Sequence, residues 1–383
     1  MKTDIFQNDL KQLEAQGLYR SLKQVASAQD RTVIFKGQEV LNFSSNDYLG
    51  LANDSRLKKA AIQAIEEYGL GSGASRLICG NMIPHEKLEE ELALLKHTEA
   101  ALVYSSGYLA NCGIIPSLMD RHGVVLSDKF NHASIIDGIL LSRAEFLRYP
   151  HADMQALEEM LKQVPAEKTK LIVTDSVFSM DGDRAPLKDI VKLAKQYEAM
   201  VMVDEAHGFG VLGKNGGGLA EELGLSQEID IQMGTLSKAA GCMGAYVAGS
   251  LILKNYLINK SRSFIYTTAM PPMMAESART ALKIITQDHQ RREQLLKAAE
   301  HLRRDLKVIG FDTMNSTTPI IPILIKDSKQ AVAMSQRLLE KGILVQAIRP
   351  PTVPQGTARL RLTVTAAHTS EDLKHLLDVL KGL

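Results

Sequence analysis

The sequence predicts an α/β protein: a large domain built on a mostly parallel sheet covered by helices, plus a smaller C-terminal α+β domain. Three observations predict it. Apolar runs at 101–104, 124–126, 171–173, 200–203 and 231–233 alternate with helical patterns, the order that builds a parallel sheet covered on both faces. Polar residues, among them Asp128, Asp175, Asp204 and Lys238, sit at or just past the ends of those runs, where ligands bind in such sheets. From about residue 270 the character shifts, with Pro271-Pro272 followed by a long charged helix and short strands.

Taken in order, residues 4–16 read as an amphipathic helix with Ile5, Leu10 and Leu13 on one side, ended by Gly17. Residues 31–42 read as a hairpin turning at Lys36-Gly37. Residues 55–68 are helical, and Gly69 to Arg76 follow as a loop. Pro84 opens a helix with Leu88, Leu92 and Leu95 on one face. The strand at 101–104 leads through Ser105-Ser106-Gly107-Tyr108 into a helix, and the strand at 124–126 leads through Asn131-His132 into another. Pro186 opens the helix after the strand at 171–173. The window 239–253 reads as a loop plus a buried strand. Further on come a charged helix over 284–308, a strand over 319–325, a helix over 328–341, strands at 343–346 and 359–365, and a last helix from Ser370. The expected division is an N-terminal segment 1–48, a large domain 49–270 and a C-terminal domain 271–383.

At 383 residues the chain buries a sizeable core without staples. Its 45 basic and 44 acidic side chains leave a net charge of +1, which gives no footprint for nucleic acid or a membrane surface. Cys79, Cys112 and Cys242 are far apart. They suit a reducing cytoplasm and supply neither a disulfide frame nor a metal site. No signal-peptide pattern is present, and the most apolar window is too short to span a bilayer.

The chemistry centres on Gly234-Thr235-Leu236-Ser237-Lys238. A lysine shielded from water loses preference for its charged form, and a neutral amine attacks carbonyls to form a Schiff base. The hydroxyls of Thr235 and Ser237 suit a neighbouring phosphate. Asp204 ends an apolar strand; a carboxylate held there can keep a pyridine nitrogen protonated and make the ring an electron sink. His207 could bond a ring hydroxyl, and His132 could lie flat on an aromatic cofactor. Ser106-Gly107-Tyr108 opens a helix, whose first amides bind phosphate well. Ser179 is a hydroxyl on the same rim.

With Asp204-Glu205-Ala206-His207 and Asn131-His132-Ala133-Ser134, that run resembles the α-oxoamine synthases, pyridoxal-phosphate enzymes of fold type I. The similarity extends from Asn46-Asp47-Tyr48-Leu49-Gly50 to Ala366-Ala367-His368-Thr369. It implies a seven-stranded sheet and the joining of an amino acid to an acyl thioester with loss of carbon dioxide. By the same resemblance Lys238 would bind the cofactor and later move the Cα proton. Asp204 would meet the pyridinium nitrogen, His207 and Ser179 the ring oxygen, and His132 the ring face. Gly107, Tyr108, Thr235 and Ser237 would hold the phosphate end. Arg361 would clasp the amino-acid carboxylate, Asn46 and His132 would also bind substrate, and Arg20 and Thr352 would lie in the acyl-substrate region. The loop from Gly71 to Arg76 and Thr267-Thr268 would face a second subunit, so a homodimer is expected. Residues 347–354 and 359–363 carry a narrower resemblance, to the branch joining L-alanine to a pimeloyl thioester in biotin synthesis. Its acyl carrier would be coenzyme A or an acyl carrier protein.

Other readings are weaker. A sister activity would join glycine to acetyl-CoA, one methyl apart in the amino acid. A cofactor-less scaffold subunit would lack the Schiff-base lysine, which this chain keeps. Asp204-Glu205-Ala206-His207 also spells a helicase motif, and Gly208 to Lys214 fits G-x-x-x-x-G-K. There Asn215 replaces the magnesium-binding hydroxyl, and Gly216-Gly217-Gly218 stands where a helix should begin. Gly69 to Ala74 fits a dinucleotide-loop pattern but follows a helix where a strand is required.

Overall fold

A computed structural model of the chain describes residues 2–15 and 18–383. Met1, Gln16 and Gly17 lie outside the described residues, and so does the expected helix end at Gly17. The first helix spans Lys2–Ala15. Strands β1 (Thr32–Phe35) and β2 (Gln38–Asn42) pair antiparallel. Lys36 and Gly37 turn the hairpin with φ of 50° and 78°, the two positive values that match a two-residue turn to the strand twist.

The central sheet holds β3 (Ala100–Tyr104), β4 (Val124–Asp128), β5 (Glu145–Tyr149), β6 (Lys170–Asp175), β7 (Met200–Asp204), β8 (Ile231–Thr235) and β9 (Ala245–Gly249). Its seven strands lie in the order β3-β9-β8-β7-β6-β4-β5. All adjacent pairs from β8 to β5 are parallel, and β9 runs antiparallel to both of its neighbours. Side chains alternate between two apolar layers. Leu102, Val125, Val173, Met202 and Met233 join Ile114 and Ile135 on one face. Val103, Leu126, Ile172 and Val203 join the larger cluster on the other. This period of two, with both faces covered, makes each inner strand apolar throughout.

Five elements escaped the sequence reading: a strand, the helix after it, and the helices Leu219–Glu222, Leu251–Lys260 and Arg262–Ile265. The edge strand β5 mixes Glu145 and Arg148 with Phe146, Leu147 and Tyr149, as edge strands do to discourage stray pairing. The helix Met154–Gln163 follows it, with Asp153 as its N-cap.

The expected helix over 284–308 is instead two helices, Pro272–Gln287 and His289–Val308. Asp288 separates them. Its carboxylate accepts from the Arg291 backbone N–H at 3.0 Å and from Arg291 Nε at 3.1 Å, so it caps the second helix. Pro272 is a first-turn residue of the earlier helix.

The C-terminal part adds β10 (Ile320–Lys326), β11 (Ile343–Leu344), β12 (Gln346–Ile348) and β13 (Ala358–Thr363). Strands β10 and β12 flank β13 in an antiparallel sheet. The single strand expected at 343–346 is therefore two, because β11 pairs in parallel with β2 of the hairpin. One apolar cluster runs from Leu126 and Ile172 to Ile320, Leu360 and Leu376. Among the described residues no helix is long and apolar enough to cross a membrane.

Candidate active site

The carboxyl ends of β4, β6, β7 and β8 deliver the polar residues to one edge. Lys238 follows β8 in a tight loop, closed by Gly241 N–H donating to the Lys238 carbonyl at 2.8 Å. Its half-buried side chain brings Nζ within 2.8 Å of His207 Nε2. Burial pulls the amine down to about 8, against the pull of Asp204 and Asp175, and Arg361 adds to the lowering. The rate at which this amine condenses with an added aldehyde should therefore rise with pH through about 8 and then level, since only the neutral amine attacks. Rapid-mixing absorbance measures this. A midpoint near the ordinary lysine value of 10.5 would contradict the shielded site.

His207 is buried, and burial followed by the Lys238 charge holds it well below the usual imidazole value. Its Nδ1 lies 2.5 Å from the Tyr48 hydroxyl, which reaches Asn46 Oδ1 at 3.4 Å. The arrangement that satisfies all of these groups has Tyr48 donating to Asn46 and Nδ1–H donating to Tyr48. Nε2 then accepts from Lys238 Nζ.

Asp204 is 3% exposed. Its Oδ2 accepts from Asn111 Nδ2 and its Oδ1 from the Ala206 N–H, both at 2.9 Å. Asp175 is its register partner on β6. Burial, then the adjacent Asp204 charge, pushes the Asp175 carboxyl well above the usual range, because two neighbouring carboxylates resist ionising together. Asp175 Oδ2 also accepts the His132 backbone N–H at 2.8 Å. His132 caps the helix Ala133–Ser142, with Nδ1 2.8 Å from Ser134 Oγ. Ser134 in turn accepts from Asn111 at 2.9 Å. Asn111 therefore ties His132 to Asp204 through one serine.

Gly107 begins the helix Gly107–Leu118, and Ser106 Oγ accepts from Leu109 N–H at 3.3 Å. The first backbone amides of a helix have no intrahelical partner and suit a phosphate. A Cβ on Gly107 would stand 3.3 Å from Met233 Cε and 3.8 Å from Thr235 Cβ, so a side chain there would crowd this corner. Thr235 Oγ1 is 2.7 Å from Ser237 Oγ and donates to the Gly244 carbonyl at 2.9 Å. Tyr108 turns its hydroxyl to Asp137, which leaves its backbone N–H as the group available to a phosphate.

Arg361 is buried, with three anchors. Nε donates to the Ser179 carbonyl at 2.6 Å, one terminal nitrogen to Thr363 Oγ1 at 3.1 Å and the other to Asn46 Oδ1 at 3.1 Å. The fold thus brings together Asn46, His207, Lys238, Ser179 and Arg361. Arg20 and Thr352 are exposed and stand outside this hydrogen-bonded cluster. Sequence reasoning gave no role to Tyr48, Asn111 or Asp175. For Asp175 the signal was its place at a strand end beside the strand of Asp204. For Asn111, inside a helix, there was none.

The rival nucleotide motif dissolves in the same geometry. Glu205 is fully buried and accepts from Leu219 N–H at 3.0 Å and Ala220 N–H at 2.8 Å, capping a short helix. No helix follows Gly69 to Arg76 until Ile83.

Residues 38–380 match the family model for aminotransferase class I and II. The chain is 53% identical over 368 residues to an 8-amino-7-oxononanoate synthase of Geobacter sulfurreducens, covering 96% of this chain and 94% of that one. It is 51% identical over 380 residues to one from Lysinibacillus sphaericus, covering 99% and 98%. The chain belongs to the α-oxoamine synthases of the class I and II aminotransferase family. Among solved structures, S. paucimobilis serine palmitoyltransferase with a bound PLP–myriocin aldimine superposes with a TM-score of 0.94 at 33% identity, covering 100% of this chain and 97% of that one. The 8-amino-7-oxononanoate synthase of Francisella tularensis gives 0.78 at 30% identity, covering 90% and 97%. This α-oxoamine synthase is a pyridoxal-phosphate-dependent acyltransferase of fold type I. Its residues fit that cofactor: a shielded amine, a buried carboxylate and a helix start at Gly107, where a side chain would be crowded.

Proposed function

We propose that this enzyme joins L-alanine to a pimeloyl thioester, with loss of carbon dioxide, to give 8-amino-7-oxononanoate for biotin synthesis. The observation behind the substrate choice is the identity of 53% and 51%, over nearly the whole chain, to synthases of that name. Bound pyridoxal phosphate supplies an electron sink for the charge left at the amino-acid Cα.

The chain's own residues do the rest. Lys238 would hold the cofactor, and its free amine would take and return the proton at Cα. Asp204 keeps the pyridine nitrogen protonated. His132 would hold the ring face, and His207 and Ser179 its oxygen. The first amides of the helix Gly107–Leu118, with Thr235 and Ser237, hold the phosphate. Arg361 and Asn46 take the amino-acid carboxylate, for which a planar guanidinium is suited. Arg20 meets the distal carboxylate of the pimeloyl chain, near Thr352. The acyl carrier is coenzyme A or an acyl carrier protein. A second copy of the chain completes the site. Supporting that, Leu70, Ile78 and Tyr266 beside the loops at 71–76 and 267–268 are 68%, 79% and 72% exposed.

Replacing Arg361 by Ala should raise the KM for alanine by ~10- to 100-fold with a smaller change in kcat, since a charged hydrogen-bond pair is lost on binding. Steady-state kinetics at saturating thioester measure it, and an unchanged alanine KM would remove Arg361 from that role. The substrate reading itself is tested by product analysis across alanine, glycine and serine, each with pimeloyl, acetyl and palmitoyl thioesters. Alanine with pimeloyl thioester should be fastest. Faster turnover of glycine with acetyl-CoA would overturn the reading, and one methyl is worth only ~1–3 kcal/mol in a pocket.

A further inference from the structure

His151 lies in the turn between β5 and the helix Met154–Gln163, away from every motif named above. Both ring nitrogens meet a carboxylate: Nδ1 is 3.0 Å from Asp128 Oδ1 and Nε2 is 2.8 Å from Asp183 Oδ2. The ring stacks on Phe130, centroids 4.4 Å apart and planes 20° apart, and Phe178 meets it edge-on at 4.4 Å and 88°. Burial opposes a charge here, but Asp128 and Asp183 together outweigh it and push the imidazole up to about 10. The ring is therefore a cation at neutral pH and donates from both nitrogens.

The two carboxylates belong to different loops. Asp128 ends β4 and also accepts from Phe130 N–H and Ala152 N–H, each at 2.8 Å. Its loop leads to His132. Asp183 lies in the loop after β6, where Phe178 N–H donates to the Asp183 carbonyl at 3.1 Å. That loop carries Ser179. Asp183 Oδ1 is buried with no hydrogen-bond partner among the described residues, so His151 is the chief answer to its charge. Backbone pairing of β4 with β6 stops at Ser127 and Val173. Beyond it Asn131 bridges the near end, donating to the Val173 carbonyl at 2.7 Å and accepting from Asp175 N–H at 3.0 Å. His151 bridges the far end.

We propose that His151 is a positioning residue: its imidazolium pins the loop carrying His132 to the loop carrying Ser179, and so shapes the cofactor site. The proposal rests on pyridoxal phosphate as cofactor and is independent of which amino acid and thioester are joined. Its test uses the cofactor-free protein and its affinity for pyridoxal phosphate, so a failed product assay would leave it standing.

Four variants are compared: His151→Gln, Asp183→Ala, Asp183→Asn and Leu306→Ala, the last a buried core residue serving as a stability control. Cofactor Kd is read by absorbance titration and melting temperature on the cofactor-free protein. His151→Gln and Asp183→Ala should each raise the Kd by ~10-fold or more, whereas Asp183→Asn, which keeps an oxygen to accept from Nε2–H, should stay within ~3-fold. Leu306→Ala should melt earlier with its Kd unchanged. Wild-type affinity in His151→Gln would overturn the proposal, and so would affinity that falls in step with melting temperature across all four. Should His151→Gln not fold, the Asp183 pair decides, since equal Kd values for Asp183→Ala and Asp183→Asn refute the pin. A ¹⁵N titration of the cofactor-free protein gives a separate reading. His151 should stay doubly protonated past pH 8, and titration near the ordinary 6.5 would refute the charge.

Discussion

Lys238→Ala is expected to abolish turnover and, with it, the visible absorbance of covalently held cofactor. The fall in kcat should be at least ~1000-fold, because in the proposed mechanism Lys238 is both the group that bonds the cofactor and the base that moves the Cα proton. The fold should survive. Nζ bonds to His207 at 2.8 Å, and its burial disfavours the charge rather than supporting the structure. Removing it leaves His207 still bonded to Tyr48. Lys238→Arg should not restore activity, since a guanidinium stays protonated and cannot attack an aldehyde. The checks are steady-state turnover, the absorption spectrum and circular dichroism. A folded Lys238→Ala protein that turns over at the wild-type rate would end the assignment.

Asp204→Asn comes next, with an expected loss of ~100- to 1000-fold in kcat, the usual scale for removing one fixed electrostatic partner from a reacting centre. The amide is nearly the same shape but keeps only one acceptor oxygen, so it can serve either Asn111 Nδ2 or the Ala206 N–H and not both. What goes is the charge that would hold the cofactor ring cationic. Asp175 should respond too. Part of its upward shift comes from the neighbouring Asp204 charge, so its proton should be released at lower pH in the variant. Turnover and the cofactor's spectrum measured together test this. Near wild-type kcat would show that the ring is held cationic by another group.

The sequence disclosed the sheet wherever burial was complete. Runs such as Leu171-Ile172-Val173 and Val201-Met202-Val203 are apolar because both faces are covered. Strand β5 was missed because its outer edge has no neighbour and carries charges. The break at Asp288 was hidden because helical periodicity continues on both sides of it, and only the capping carboxylate marks the join. In the site, Lys238, Asp204, His132 and His207 were legible as polar residues at the ends of apolar runs. Asn111 and Tyr48 were not, since their roles exist only in hydrogen bonds to residues far along the chain: Asp204 for Asn111 and His207 for Tyr48. His151 belongs to the same class, because its partners Asp128 and Asp183 lie on opposite sides of it in sequence.

The parallel pairing of β2 with β11 bears on how the protein is made. Val33, Phe35 and Val40 of the hairpin are covered by Val25, Leu339 and Leu344. During synthesis the hairpin leaves the ribosome about 300 residues before Leu339 and Leu344, two of those covering residues. A bare apolar strand edge is thus exposed to the cell over that interval, a stage at which such surfaces invite aggregation. Chaperone demand should accordingly persist until the segment carrying Leu339 and Leu344 has emerged.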